Sequence, residues 1–132
     1  IQALAKILGD QTAARLQEFE LHWWQYDALS TLRRQGKPYE MAATELADDN
    51  MLTSGAMTNR IDRLEEAGLV RRKPDATDRR KVLVQLTEQG LRLIEDATEA
   101  RFEAAAEALE NLSMKQIKSL QGLLRTVLTA QE

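Results

Sequence analysis

The 132-residue chain contains no cysteine. Disulfides, thiolate metal sites and cysteine nucleophiles are therefore excluded. It has one histidine, His22, so a metal site would have to be built almost wholly from carboxylates, and none is expected. No internal repeat or low-complexity tract is present. No apolar run approaches the roughly 18 residues that span a membrane. No secretory signal is visible, which makes the cytoplasm the expected location. The first residue is Ile1 rather than Met, which leaves room for further residues upstream. Catalytic machinery is equally scarce. There is no P-loop and no Gly-rich dinucleotide fingerprint. The carboxylates Glu99, Glu103, Glu107 and Glu110 fall at helical spacing, as on a solvated helix face, and do not form a converging pair. Neither an enzyme nor a cofactor is expected.

What is present is an ordinary balance of 43% hydrophobic and 30% charged residues. The length fits one domain, or one domain with an oligomerisation element. The net charge of −3 argues at first against nucleic acid, but it hides an asymmetry. Thr53 to Lys81 holds eight Arg or Lys against five Asp or Glu, a net of +3, so the remaining residues carry −6. Such a basic stripe can serve a DNA-reading face, because charges farther than about 10 Å away are screened at ordinary salt.

Hydrophobic spacing divides the chain. Residues 1–20 read as a helix, with Leu4, Ile7, Leu8, Leu16 and Phe19 at helical intervals. Residues 22–35 form a second helix, stopped by Gly36 and Pro38. Residues 40–47 are expected as a short third helix. A polar turn leads to a fourth, from about Ser54 to Ala67, with Thr53 or Ser54 as N-cap and Gly68 just past its end. LVRRKP and KVLVQLT read as two strands around the polar tip DATDRR. Thr87 can cap a long helix from 88 to about 111. Ser113 and Gln116 have capping-box spacing and open a last helix to about 129, along which Ile117, Leu120, Leu123, Leu124, Val127 and Leu128 form an apolar stripe. The fold class is therefore mainly α with a small β-wing: a winged helix-turn-helix at 22–87, flanked by helices at 1–20 and 88–132 whose apolar faces need a partner.

The function concentrates between Thr53 and Thr87. In SGAMTNRIDRLEEAGLV, Met57, Ile61 and Leu64 point to the core. Thr53, Ser54, Gly55, Thr58 and Asn59 lie near the helix amino end or on its other faces. Small polar side chains there let a backbone approach the major groove and bond to base edges. Arg60 and Arg63 can reach phosphates or guanine edges. A plain amphipathic helix whose arginines pair with Asp62, Glu65 and Glu66 fits the same residues. The hairpin favours the nucleic-acid reading. Asp78, Arg79, Arg80 and Lys81 sit at its tip, where arginine suits a narrow minor groove and Asp78 can steer a neighbouring guanidinium. Arg71, Arg72 and Lys73 on the first strand are expected as phosphate contacts.

The run MLTSGAMTNRIDRLEEAGLVRRKPDATDRRKVLVQLTEQG resembles the DNA-binding half of the MarR family of bacterial transcription regulators. The markers are TNRIDRL, then GLV, then D-x-x-DRR, then V-x-LT-x-x-G; Asn59 departs from the arginine many members carry. The order of helices agrees over essentially the whole chain. The resemblance implies a homodimer in which residues 1–20 and 88–132 interlock with the partner as dimerisation helices of one intertwined domain. It implies double-stranded DNA as partner, with a pseudo-palindromic operator whose half-sites lie about one helical turn apart. It further implies repression relieved by a small aromatic or anionic effector. A winged helix used only for protein–protein contact is the alternative that shares the fold.

The second helix, WWQYDALSTLRRQGKPYEMAATEL with its continuation, resembles the branch of the family that responds to urate and related aromatic compounds. On that resemblance His22, Trp23, Tyr26, Asp27 and Lys73 are candidate effector residues, and Asp27 is expected to pair with Lys73 or Arg72 of the wing base. In that branch a tryptophan from an extra amino-terminal helix completes the site. For His22, Trp23 and Trp24 the other reading is core or interface packing; for Asp27 it is a salt bridge or cap within the subunit.

Overall fold

A computed structural model describes residues 2–130. Helix α1 (Gln2–Gln17) is followed by α2 (Trp23–Arg34), strand β1 (Glu40–Ala42), α3 (Ala43–Asp49) and α4 (Ser54–Glu66). The hairpin strands β2 (Val70–Pro74) and β3 (Val82–Leu86) come next, and then the helices α5 (Glu88–Ala108) and α6 (Met114–Thr129). Among the described residues no helix is long and apolar enough to cross a membrane.

The helix boundaries follow from caps written in the sequence. Thr53 Oγ1 accepts from the Ala56 N–H at 3.2 Å and so starts α4. Thr87 does the same for α5, accepting from the Gly90 N–H at 3.0 Å. Ser113 and Gln116 satisfy each other's orphan N–H groups at the head of α6, at 3.3 and 2.8 Å. Gly36 and Gly68 stand just past α2 and α4 at φ +75° and +74°, a left-handed setting that other residues adopt only at a cost.

One expected helix begins differently. Residues 40–42 form β1, and α3 starts only at Ala43. The strand pairs antiparallel with β3 through Glu40↔Gln85, Met41↔Val84 and Ala42↔Leu83, which places it on the outside of a sheet of order β1-β3-β2. Burial of Met41 and Ala42 beneath the sheet outweighs the weak helix preference of so short a run.

Met57, Ile61 and Leu64 of α4 are buried in the core with Leu29 and Leu32 of α2, Leu46 of α3, Val84 of β3 and Ile94 of α5. At about 2 kcal/mol for each large apolar side chain buried, this layer supplies most of the favourable term in folding. The termini contrast with it. Leu16 anchors α1 to the core, yet Leu4, Ile7 and Leu8 are exposed. No residue of α6 is buried, and Leu120, Leu123, Leu124, Val127 and Leu128 stand in the open.

Candidate nucleic-acid interface

With Met57, Ile61 and Leu64 turned inward, the outer face of α4 presents Gly55, Asn59 and Arg63, all exposed. Nothing lies within 4 Å of where a Gly55 Cβ would stand, so packing within the subunit does not require glycine there. The Thr58 hydroxyl donates to the Ser54 carbonyl at 2.8 Å, which leaves its oxygen lone pairs free to accept.

The wing tip is ordered by one carboxylate. Asp75 Oδ1 accepts from the Thr77 N–H at 2.7 Å, the Thr77 hydroxyl at 2.8 Å and the Asp78 N–H at 3.2 Å. These bonds, the Thr77 N–H foremost, hold its carboxyl below its ordinary pKa. Asp78 Oδ1 in turn accepts from the Arg80 N–H at 3.0 Å and approaches Arg80 Nε at 3.3 Å, so one oxygen sets both the backbone and the guanidinium. Arg80 remains 92% exposed, and Arg79 and Lys81 are exposed beside it. A groove of about 210 Å³ is lined by Ser54 and Thr58 of α4 together with Arg80 and Lys81 of the wing. The helix amino end and the wing cations thus share one face.

The three cations of β2 behave differently from the expectation that they face phosphates. Arg72 donates from Nη2 to Asp62 at 2.5 Å and to the Thr58 carbonyl at 3.4 Å, from Nη1 to Glu65 at 2.6 Å, and from its N–H to Glu65 at 2.9 Å. Burial opposes its charge, but the bonds to Asp62 and Glu65 prevail and raise its pKa above the ordinary value. Glu65 is lowered, chiefly by the Arg72 N–H and then by the guanidinium. Arg71 donates twice to Gln85 Oε1, at 2.9 and 2.6 Å, and Gln85 donates to the Pro38 carbonyl at 2.9 Å. Lys73 Nζ meets Glu40 at 2.5 Å. Each strand cation is held inside the subunit. Arg60 is also drawn inward, its guanidinium lying 5.4 Å from the Trp24 ring centre.

Lys73 therefore does not pair with Asp27, and neither does Arg72. The cause is β1, absent from the sequence reading, which brings Glu40 across the sheet to Lys73. Asp27 is half-buried, and among the described residues its side chain enters no ion pair; its carbonyl accepts from the Thr31 hydroxyl at 2.9 Å.

Of the five effector candidates, Trp23 and Tyr26 are brought together, stacked at 5.7 Å and 25°. His22 is the exposed N-cap residue of α2, its N–H donating to Gln25 at 2.8 Å. A residue the sequence reading missed completes the cluster. Arg101 of α5 lies 5.1 Å from the Trp23 ring centre and 5.2 Å from that of Tyr26, and donates to the Tyr26 hydroxyl at 3.4 Å. That hydroxyl is 3.3 Å from Thr98 Oγ1, whose own proton goes to the Ile94 carbonyl, so Tyr26 donates. Trp23 remains 53% exposed and, with Arg101, Leu8, Gly9, Thr12 and Ala13, lines an open groove of about 400 Å³. Lys73 is not among the lining residues.

A helix-turn-helix whose second helix is capped, exposed at its amino half and flanked by an ordered cationic hairpin defines a winged-helix protein. Residues 21–82 match the MarR family. The chain is 36% identical over 110 residues to the HTH-type transcriptional regulator PecS of Dickeya dadantii, a match covering 83% of this chain and 66% of that relative. The chain thus spans just under two thirds of PecS. A MarR family protein from Bacillus stearothermophilus superposes with a TM-score of 0.87 at 28% identity, covering 98% of this chain and 89% of that one. A mutant Escherichia coli MarR in complex with operator DNA superposes with a TM-score of 0.73 at 26% identity, over 96% and 92% of the two chains. Over residues 21–82 the chain is similar to the MarR family, and it has the winged-helix fold of MarR family structures. These relatives are regulators and not enzymes, in agreement with the scarcity of catalytic groups.

Proposed function

We propose that the chain is a transcriptional regulator that binds a pseudo-palindromic DNA operator as a homodimer. The amino half of α4 enters the major groove, and the wing tip probes the minor groove. The observation that carries this reading is the groove shared by Ser54 and Thr58 with Arg80 and Lys81. It puts a face suited to close approach and a set of exposed cations on one side of the molecule. The operator complex of E. coli MarR supports the same use of the fold. The exposed apolar faces of α1 and α6 support the dimer. The regulator acts as a repressor released by a small aromatic anion, with its ring against Trp23 and its charge toward Arg101; the open groove at these residues supports that assignment.

The test is titration of a duplex selected by the protein from a random pool, over a range of salt. Affinity is expected to fall steeply with salt, and replacing both Arg79 and Arg80 by Ala to lower it about ten-fold or more and to reduce the salt slope by about 2. Binding indifferent to salt and to both substitutions would leave the winged helix as a protein-contact module. For the effector, a thermal-shift screen of aromatic acids and purines is expected to find stabilisation that Arg101→Gln abolishes. No stabilisation by any of them would remove the effector from the proposal.

A further inference from the structure

Arg60 looks, in sequence, like a second groove-facing cation beside Arg63. Its surroundings say otherwise. At about 100° per residue around a helix, Arg60 lies about 60° to one side of Met57, close to the buried stripe, whereas Gly55 and Asn59 lie on the opposite side of the helix. Arg60 is half-buried, while Gly55, Asn59 and Arg63 are exposed. Among the described residues it has no ion-pair partner; Asp62 and Glu65 lie on the other flank of α4, where both bond to Arg72. Its guanidinium lies instead over Trp24 of α2, itself packed against the core.

The other flank of α4 has a matching tether. Arg72 of β2 grips the Thr58 carbonyl, Asp62 and Glu65, which lie about 80 to 140° from Met57 in the other sense. Helix α4 is thus held from both sides of its buried stripe, by the wing on one flank and by α2 on the other. Two tethers of this kind fix the roll of a helix about its own axis, and roll decides which side chains face outward.

We propose that Arg60 is a positioning residue that sets the roll of α4 through its stack on Trp24, and is not itself a DNA contact. The proposal rests on the DNA-binding reading given above. Trp24 acquires a role through it as well. Adjacent Trp23 carries Arg101 from α5, so two neighbouring tryptophans at the head of α2 each hold an arginine from a different helix. The start of α2 therefore joins α4 to the long helix α5.

The experiment uses the full chain and a duplex it selects from a random pool, with affinity measured over a range of salt. Arg60→Met keeps most of the stem and removes the cation; Trp24→Leu removes the ring; Trp24→Phe keeps an aromatic face should the leucine variant fail to fold. Arg63→Gln serves as the phosphate-contact control, expected to lower the salt slope by about 1. Arg60→Met is expected to weaken binding about three- to five-fold with the salt slope unchanged, in line with the modest strength of a cation–π contact. Trp24→Leu is expected to give the same loss, and the double variant no more than either alone, because both remove one interaction. Trp24→Phe is expected to fall between wild type and Trp24→Leu. A slope lowered by about 1 in Arg60→Met with normal binding by the Trp24 variants would make Arg60 a phosphate contact and overturn the proposal. Additive losses, or no loss in either single variant, would overturn it too. A wild-type protein that selects no duplex would defeat the DNA-binding reading first and this one with it.

Discussion

Gly90 sits so close to Leu69 that a Cβ on it would stand 2.0 Å from the Leu69 carbonyl oxygen and 2.9 Å from its carbonyl carbon. This is backbone against backbone at the seam where α5 meets the end of the recognition-helix segment. The same carbonyl accepts from the Thr87 N–H at 3.1 Å, and the Thr87 hydroxyl donates to the Gly68 carbonyl at 2.7 Å. The long helix is therefore locked onto the α4–β2 connection by bonds that leave no slack. Gly90→Ala cannot be absorbed by a rotamer change, since the contact is with main chain. It is expected to cost about 2 kcal/mol or more, within the range of overpacked cores. Urea unfolding at matched protein concentration measures the loss. Wild-type stability in this variant would show that the seam yields more easily than its geometry implies.

Arg72 is expected to serve stability and pH response together. Its contacts with Asp62 and Glu65 are partly exposed, so Arg72→Met should cost only about 1 kcal/mol. The pH dependence is the more specific signature. Glu65 has its pKa lowered from an ordinary 4.5, so the unfolded chain binds the proton more readily than the native one. The stabilisation is thus present above pH 4.5 and is lost as pH falls through the native value. Arg72→Met is expected to flatten this acid limb. Thermal melts of both proteins between neutral pH and the acid limb decide it, and parallel curves would remove Arg72 as the source.

Asp75 governs the wing tip without supporting the core, because its three accepted bonds all come from Thr77 and Asp78. Asp75→Ala is expected to leave the melting temperature of the protein unchanged and to speed amide exchange at Thr77 and Asp78. DNA affinity should fall several-fold, since binding would then have to order a loose tip. Unaltered exchange at those two amides would show that the turn holds without the carboxylate.

How much of this was legible in the sequence depends on the range of each interaction. The caps at Thr87 and Ser113 and the core positions Met57, Ile61 and Leu64 were read correctly, and the α4 cap was narrowed to Thr53 or Ser54, because each depends on residues within one or two turns. β1 was missed because its existence depends on β3, more than forty residues on in the chain. That miss produced the next. With no strand carrying Glu40, Lys73 had no visible partner and was read, alternatively with Arg72, as a partner for Asp27. Arg101 escaped notice among the acidic residues of α5, since only the packing of α5 on α2 brings it over Trp23 and Tyr26. The one available signal was a lone cation in a run of glutamates. The inward turn of Arg60 was harder still to see, because it depends on Trp24, far back in the chain on α2, and only the fold brings that ring beneath the guanidinium.

The surplus apolar surface leads to the last prediction. Along α6, Leu123, Leu124, Val127 and Leu128 are 65%, 54%, 61% and 69% exposed, and Leu4, Ile7 and Leu8 of α1 are exposed as well. An exposed apolar stripe of the kind that runs along α6 is rare on a monomer and marks an interface. On the homodimer reading a second copy covers it, and one charge placed in its midst should be costly because the carboxylate would lose water without gaining a partner. Leu124→Glu alters no core contact of its own subunit, since no α6 residue is buried there. The winged-helix core should keep its helix content by circular dichroism, while sedimentation shows the dimer giving way to monomer at micromolar concentration. DNA affinity should then drop by about a hundred-fold or more, because the second half-site no longer adds its contacts through a fixed linkage. A Leu124→Glu protein that sediments as a dimer would move the interface away from α6. One that is monomeric yet binds DNA as tightly as wild type would show that a single recognition helix and wing suffice.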